Sequence, residues 1–188
     1  RPEPDANALK AQIEAMGHAV SLEPLLDIEL LPIAPDAVSR AQAIVATSRN
    51  SVRALAESAA LAQALELPLF GVGPSTGELA HSLGFRHVVA GGGSAGDLIP
   101  LIVGKTDAAQ GPLVHLAGEV VACDLSAALA VQGIEVEKLV TYRAHPARAL
   151  SSQTAQAIAA ASLDAVVLMS PRTASIFAQL VAGAGLRT

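Results

Sequence analysis

A strand, a serine-containing turn and a helix occur in the same arrangement at two distant places in the chain. The first copy, AIVATSRNSVRALAE, covers residues 43–57, and the second, AVVLMSPRTASIFAQ, covers residues 165–179. Ser48 and Ser170 fall at the same point of the two copies. A buried apolar run followed directly by a helical stretch is typical of a unit in a parallel sheet with helices on its faces. The repeat therefore predicts an α/β fold that uses one structural unit twice.

A second pair of similar segments indicates how the two copies are arranged. LKAQIEAMGHAVSLEPLL at 9–26 resembles LSAALAVQGIEVEKLVTY at 125–142, so the repeated blocks are interleaved along the chain. This order favours two similar α/β domains with one inserted in the other, and the chain would cross between them near 27–32 and 141–146. Both segments look extended and end in proline, which suits two antiparallel connecting strands. The alternative is that any two strand–helix units look alike.

Strand and helix patterns alternate along the rest of the sequence, as a parallel sheet covered on both faces requires. Glycine follows several helical stretches, where it can end a helix. The predicted strands are 19–25, 42–47, 68–72, 87–90, 112–116, 135–142 and 164–169. The predicted helices are 5–16, 50–65, 76–83, 95–103, 120–132, 151–160 and 172–182.

Composition excludes several classes of function. Hydrophobic residues make up 52% of the chain, but no apolar run reaches the roughly 20 residues of a membrane helix. Aromatic residues are only 2%, the net charge is -5 and no Lys/Arg cluster occurs, so neither a nucleic acid nor a membrane partner is expected. The single cysteine, Cys123, cannot form an internal disulfide and is expected to be structural. Together with the absence of a signal peptide, this favours a reducing compartment and hence the cytoplasm.

The carboxyl ends of parallel strands, where open α/β folds bind ligands, carry the repeated serine turn. In TSRNSV, Thr47 and Ser48 end a strand, and Ser48 or Asn50 can cap the next helix; in MSPRT, Ser170 can cap and Pro171 suits the first helical position. Helix starts offer unpaired N–H groups to carboxylates or phosphates. Each turn taken alone is explained as a helix cap, whereas the pair suggests a cleft shared by two facing domains.

The glycine-rich turns do not match a nucleotide-binding motif. FGVGPSTGELA at 70–80 has a spacing one residue too long for a dinucleotide fingerprint, and no Asp or Glu ends the next strand to hold a ribose. Thr76 nevertheless places a hydroxyl beside a helix start in this turn. AGGGSAGDL at 90–98 lacks the lysine of a P-loop and is predicted to be a turn in which Ser94 caps a helix. The five histidines lack metal-ligand spacing, so no metal is expected.

The ordered set of these segments resembles a known family. RPEPDA, VATSRNSVRAL, VGPSTGELAHSLGF, HLAGE, VEKLVTYRA and LMSPRTASIF follow one another as in uroporphyrinogen-III synthases, over essentially the whole chain. The resemblance implies two flavodoxin-like or HemD-like lobes joined by a two-stranded β-ladder. One lobe would be 35–144, inserted into a second lobe made of 1–32 and 148–188.

The resemblance also implies a reaction. Uroporphyrinogen-III synthases are hydro-lyases that cyclise the linear tetrapyrrole hydroxymethylbilane with inversion of ring D and loss of water. The product, uroporphyrinogen III, is a precursor of haem, sirohaem and corrins, and no cofactor is needed. The substrate's eight carboxylates would bind backbone N–H groups and hydroxyls at helix starts, since the protein itself is acidic.

Specific residues follow from the same resemblance. Tyr142, the only tyrosine, matches the family tyrosine proposed to assist departure of the substrate hydroxyl, whereas a lone tyrosine is otherwise most simply explained by packing. The expected substrate-binding residues are Arg1, Thr47, Ser48, Asn50, Gly73, Thr76, Gly118 and Ser170.

Two departures from the family pattern concern the chain ends. The family's first strand before Arg-Pro is absent, as is a Gly-x-x-Thr unit near the carboxyl terminus, so both ends are expected to be parts of a longer chain. A monomer is expected, with transient contact to hydroxymethylbilane synthase. Two alternatives remain: a two-lobed protein that binds a small ligand without catalysis, and a nucleotide-dependent transferase, against which the missing acidic ribose residue argues.

Overall fold

The computed structural model describes residues 5–121 and 124–186 and shows an α/β fold. The strands are β1 (Leu26–Leu30), β2 (Ala43–Ala46), β3 (Leu69–Gly71), β4 (Val88–Ala90), β5 (Leu113–Gly118) and β6 (Val136–Pro146). The helices are α1 (Asp5–Ala15), α2 (Arg49–Ala56), α3 (Leu61–Ala64), α4 (Pro74–Ser82), α5 (Ala95–Val103), α6 (Leu125–Ala130), α7 (Ser152–Ala159) and α8 (Pro171–Gly183), with a short 3-10 turn at Ala108–Gln110. Within these described ranges, no helix has the length and apolar character needed to cross a bilayer.

The six strands form one mostly parallel sheet. Their order is β1-β6-β5-β2-β3-β4, and β2 pairs in parallel with both β3 and β5. Strands β4 and β6 extend the parallel arrangement on the two sides. Because β2, β3, β5 and β6 run in the same direction, their carboxyl ends lie along one edge of the sheet, where ligands bind in folds of this class.

The chain divides into two compact units. One, called here the inserted unit, contains Glu29–Arg143, and the other, called the split unit, contains the residues up to Ile28 together with those from Ala144 onward. Both divisions fall inside strands, the first in β1 and the second in β6. These two strands are neighbours in the sheet.

The inserted unit buries both faces of its strands. Alternate side chains of β2 point to opposite faces, as the two-residue period of a strand requires. Ile44 and Ala46 belong to the hydrophobic cluster that contains residues of α2, α3 and α4, whereas Ala43 and Val45 belong to the cluster that contains residues of α5 and α6. All four β2 side chains are buried, which explains why the strand reads as a continuous apolar run.

Most predicted elements are found, with shifted ends, but helix 50–65 is interrupted. It forms two helices, α2 and α3, because Ser58 intervenes between them. The Ser58 hydroxyl donates to the carbonyl of Leu55 at 2.8 Å, and such local bonds compete with the helical ladder. The predicted strand 19–25 is wrong: these residues have no regular structure, and β1 starts at Leu26 in the segment expected only to be extended.

The predicted strand 164–169 is also wrong. These residues have no strand structure, although their sequence is as apolar and β-branched as that of β2. The exposed fractions are 47% for Val166, 58% for Val167 and 48% for Met169. A strand needs hydrogen-bonding neighbours, and among the described residues no strand pairs with this segment, whereas β2 has a neighbour on each side. The local sequence is therefore typical of a strand, but none of the described strands forms hydrogen bonds with it.

Candidate active site

The corner between β2 and α2 is built by a serine cap. Ser48 is the N-cap residue of α2, in extended conformation, and its Oγ accepts a hydrogen bond from the Asn50 backbone N–H at 3.1 Å. The Asn50 side chain does not cap; its Oδ1 accepts from Arg53 Nη1 at 2.7 Å. Of the two expected capping residues, Ser48 is therefore the one that caps. Thr47, between the strand and the cap, is half-buried.

The neighbouring corner between β3 and α4 brings glycine and threonine together. Gly73 is the N-cap residue of α4, Pro74 occupies the first helical turn and Thr76 follows it. Thr76 is only 3% exposed, and its methyl carbon lies 3.4 Å from the position that a Cβ on Gly71 would take. A Cβ on Gly73 would lie 3.3 Å from Gly93 Cα, so the turn after β3 packs closely on the turn after β4. The glycines are therefore used for close packing of backbone at the strand ends.

A β-bulge sets the direction of Tyr142 on β6. Ala117 of β5 pairs with Val140, but the next residue, Gly118, pairs with Tyr142, so Thr141 is an extra residue in β6. The Thr141 hydroxyl, fully buried, donates to the Ala117 carbonyl at 3.2 Å. One extra residue reverses the alternation of side chains. Tyr142 therefore lies on the face of the sheet opposite to the one it would occupy in regular pairing.

The ring of Tyr142 lies directly against Gly118. A Cβ on Gly118 would be 2.6 Å from Tyr142 Cζ and 2.8 Å from its hydroxyl oxygen, distances that a real side chain could not adopt. The Glu119 N–H donates to the Tyr142 carbonyl at 3.0 Å and continues the pairing beyond the bulge. Gly118 is thus required for the position of the phenol, and the phenol is half-buried at the end of β5.

Arg143, the residue after Tyr142, already has two carboxylate partners. Arg143 Nε donates to Glu119 at 3.0 Å, and Arg143 Nη1 lies 3.8 Å from a carboxylate oxygen of Glu29. These groups are exposed, so the ion pairs contribute little to stability. Two negative charges nevertheless offset the guanidinium, which reduces its attraction for a further anion.

A buried histidine, not selected from the sequence, lies beside the β2–α2 corner. His115 is the third residue of β5 and is 2% exposed, and its Nε2 lies 3.2 Å from Thr47 Oγ1. Burial lowers the pKa of His115 from 6.5 to about 4; the Lys138 charge acts in the same direction and Asp124 opposes it. The ring is therefore neutral at pH 7. The sequence signal was a lone histidine inside the otherwise apolar strand LVHLAG.

In the split unit, Ser170 caps α8. Its Oγ accepts from the Thr173 N–H at 3.1 Å and lies 3.0 Å from the Thr173 hydroxyl, so the predicted cap is confirmed. The start of α7 has the same Ser-x-x-Thr arrangement, and there a carboxylate is bound. Glu23 Oε1 accepts from the Ser151 N–H at 3.0 Å, and Oε2 accepts from the hydroxyls of Ser151 and Thr154.

The electrostatics of this carboxylate follow from its contacts. Desolvation acts to raise the pKa of Glu23, but the hydrogen bonds from Ser151 and Thr154 outweigh it, and the pKa is lowered. A helix start with two hydroxyls therefore stabilises a carboxylate in its charged form in this chain.

Seven of the expected site residues lie in the inserted unit. Thr47, Ser48 and Gly73 follow the ends of β2 and β3, Asn50 and Thr76 lie in the first turns of α2 and α4, Gly118 ends β5, and Tyr142 lies within β6 beside Gly118. Ser170 lies in the split unit. Arg1 and Cys123 fall outside the described residues. Within residues 5–121 and 124–186, no group of three His, Cys, Asp or Glu side chains is placed to hold a metal ion.

Several solved structures with a similar fold are uroporphyrinogen-III synthases. The enzyme from Helicobacter pylori 26695 has 18% identity and a TM-score of 0.61, over 83% of this chain and 70% of the other. A mutant of the Thermus thermophilus enzyme has 22% identity and a TM-score of 0.61, over 97% and 74%. The wild-type Thermus enzyme has 23% identity and a TM-score of 0.50, with the same coverage. These likenesses establish the fold.

A search of curated protein sequences finds no significant match. The sequence model of the family described as uroporphyrinogen-III synthase HemD matches residues 7–187, which is nearly the whole chain. Family and fold thus agree with each other. The chain belongs to the uroporphyrinogen-III synthase family, and its function is that of a lyase-type enzyme in tetrapyrrole biosynthesis.

Proposed function

We propose that Tyr142 assists the departure of the substrate hydroxyl when hydroxymethylbilane is cyclised. The observation that supports this most strongly is the bulge at Thr141, which turns the phenol over Gly118 at the end of β5. Bulges often re-aim a side chain beside an active site. The phenolic O–H can donate a hydrogen bond to the leaving oxygen, while the pyrrole nitrogen supplies the electrons that expel it.

The substrate's carboxylates bind the helix starts at the carboxyl edge of the sheet. The half-buried residues Thr47 and Ser48 offer hydroxyls, and Asn50, Gly73 and the buried Thr76 belong to the same two corners. The binding of Glu23 at the start of α7 supports this chemistry, because two hydroxyls and one backbone N–H hold a carboxylate there. An acidic protein can bind an acidic substrate in this way.

The split unit contributes in the same manner. Ser170 and Thr173 at the start of α8 repeat the Ser-x-x-Thr spacing that binds Glu23 at α7, so Ser170 is proposed as a substrate ligand. Arg1 is proposed as a further ligand from its place in the family pattern. Two lobes, 35–144 and 1–32 with 148–188, are proposed, and the two compact units support these bounds to within a few residues.

The test is a coupled assay in which hydroxymethylbilane synthase supplies the substrate and the oxidised products are separated as type I and type III isomers. The parent full-length protein is expected to give mostly type III. Tyr142→Phe keeps the ring against Gly118 but removes the hydroxyl. We expect kcat to fall about 100-fold, within the usual range for general acid catalysis, with KM nearly unchanged.

Arg143→Gln is the matched control, since it changes the next residue on β6, whose exposed ion pairs contribute little. It should leave both kcat and the melting temperature close to those of the parent. A Tyr142→Phe variant with parental kcat would remove Tyr142 from the mechanism. A folded parent that gives only type I, the spontaneous product, would remove the proposal as a whole.

The setting of the enzyme is also proposed. A single cysteine suits a reducing compartment, and we place the protein in the cytoplasm as a monomer. Because free hydroxymethylbilane closes spontaneously to the type I isomer, transient contact with hydroxymethylbilane synthase would limit this loss. Sedimentation velocity with each protein alone and with both together tests the monomer and the contact.

A further inference from the structure

His115 is a polar residue inside a strand that is buried along its whole length. All six side-chain positions of β5 are buried, and the other five are apolar or glycine. The imidazole is 2% exposed and cannot exchange hydrogen bonds with bulk water. Buried polar groups in proteins are nearly always hydrogen-bonded, so the partner of the ring is informative.

That partner lies at the candidate active site. His115 pairs with Val45 of β2, and Thr47 follows two residues later, which places its side chain on the same face of the sheet. The distance from His115 Nε2 to Thr47 Oγ1 is 3.2 Å. The contact therefore joins a fully buried ring to a half-buried hydroxyl at the carboxyl edge.

Burial and two nearby charged groups decide whether the ring carries one proton or two. Lys138 lies opposite His115 on β6 and disfavours a charged ring, whereas Asp124, the N-cap residue of α6, favours one. Burial and Lys138 together outweigh Asp124 and keep the ring neutral at pH 7. A neutral imidazole has one N–H, on either Nδ1 or Nε2, and the other nitrogen is an acceptor.

A hydroxyl has one proton, and a carboxylate can only accept. If Thr47 donates to a substrate carboxylate, its proton is not available to His115, and the ring must be the donor. We propose that His115 is a positioning residue: its Nε2–H donates to Thr47 Oγ1 and leaves the Thr47 proton directed at a substrate carboxylate. This inference rests on the proposed function, in which Thr47 binds the substrate.

The first test is spectroscopic and needs no substrate. Two-bond proton–nitrogen correlation spectra of the full-length protein at neutral pH distinguish the two tautomers of each histidine, and loss of one spin system in His115→Gln assigns the ring. We expect a neutral His115 with the proton on Nε2. A proton on Nδ1 would overturn the proposal, because Thr47 would then have to donate to the ring.

The second test is kinetic. Thr47→Val is expected to raise KM about tenfold, as loss of a hydrogen bond to a charged group does, and to leave kcat within about twofold. His115→Phe replaces the imidazole with a phenyl ring, which has no N–H, and we expect a rise of about fivefold in KM. In the Thr47→Val background, His115→Phe should have no further effect, because the ring acts only through the hydroxyl.

Two further variants separate positioning from mere packing. His115→Gln retains an N–H donor and should keep KM within about twofold of the parent, since it can restore the same hydrogen bond. Thr106 lies between α5 and β5, and its hydroxyl donates to the Ile102 carbonyl. As a control, Thr106→Val removes this hydroxyl and should leave KM unchanged. Equal rises in KM for His115→Phe in the parent and in the Thr47→Val background would overturn the proposal.

The outcomes also distinguish this inference from the proposed function. If the folded parent does not produce the type III isomer, the proposed function fails, and the Thr47 role fails with it, whichever tautomer is found. If the parent is active but His115→Phe leaves KM unchanged, only the positioning role of His115 fails.

Discussion

The buried imidazole of His115 makes the inserted unit lose stability in acid. Burial lowers its pKa from 6.5 to about 4 in the folded protein, whereas in the unfolded chain the ring returns to about 6.5. Between these values the unfolded state binds a proton that the folded state does not. The stabilising contribution is therefore complete above the unfolded pKa and is lost as the pH falls toward the folded one.

The size of the effect follows from the difference between the two pKa values. One pKa unit corresponds to about 1.36 kcal/mol, so the shift from 6.5 to about 4 corresponds to roughly 3 kcal/mol once the pH is well below 4. Between about pH 7.5 and about pH 4.5, the loss amounts to about 2.5 kcal/mol. Other histidines and carboxylates titrate in the same window, so the effect must be isolated by a variant.

His115→Phe provides that variant, because residue 115 then no longer titrates. Urea unfolding followed by circular dichroism gives the free energy of unfolding for parent and variant at both pH values. We expect the parent to lose about 2.5 kcal/mol more than His115→Phe on acidification. Thr106→Val, with its titrating groups intact, should follow the parent. Equal pH dependence in the parent and His115→Phe would refute the reasoning.

Two other predictions concern the contact of Gly118 with Tyr142 and the exposed apolar run at 165–169. Gly118→Ala should lower the free energy of unfolding by about 1–3 kcal/mol and reduce type III formation, because its Cβ would lie 2.6 Å from Tyr142 Cζ. Urea unfolding measures the first effect and the isomer assay the second. A variant as stable and active as the parent would contradict the contact. Val167→Lys should reduce aggregation of the chain in light scattering, because Val167 is 58% exposed within an apolar β-prone run. Met16→Lys, at an exposed residue outside that run, should have less effect; equal effects would show that the run is not the cause.

The sequence predicted those features that depend on neighbours in the chain. Ser94 and Ser170 were expected to cap helices and do so, because a cap bonds to a backbone N–H a few residues ahead. The alternation of buried strands and helices was visible for the same reason. The family was indicated by the order and spacing of short segments.

Sequence patterns could not decide which strands would find partners. Residues 43–46 and 165–168 have equivalent sequences, yet only the first forms a strand, since a strand exists through hydrogen bonds to neighbours remote in the chain. The orientation of the Tyr142 side chain could not be predicted for the same reason, because the bulge at Thr141 is a property of the pairing of β5 with β6.

The sequence by itself thus determined the α/β class and the helix caps, which depend on residues close together in the chain. It also determined the family, which depends on the order and spacing of short segments. Only the tertiary structure brought the Thr47 hydroxyl to 3.2 Å from the His115 ring, across 68 residues of chain. It did so through the register of β2 against β5, which places Val45 opposite His115. A side chain's chemistry here is set by its neighbours across the sheet, and those neighbours are fixed by pairing over long distances in the sequence.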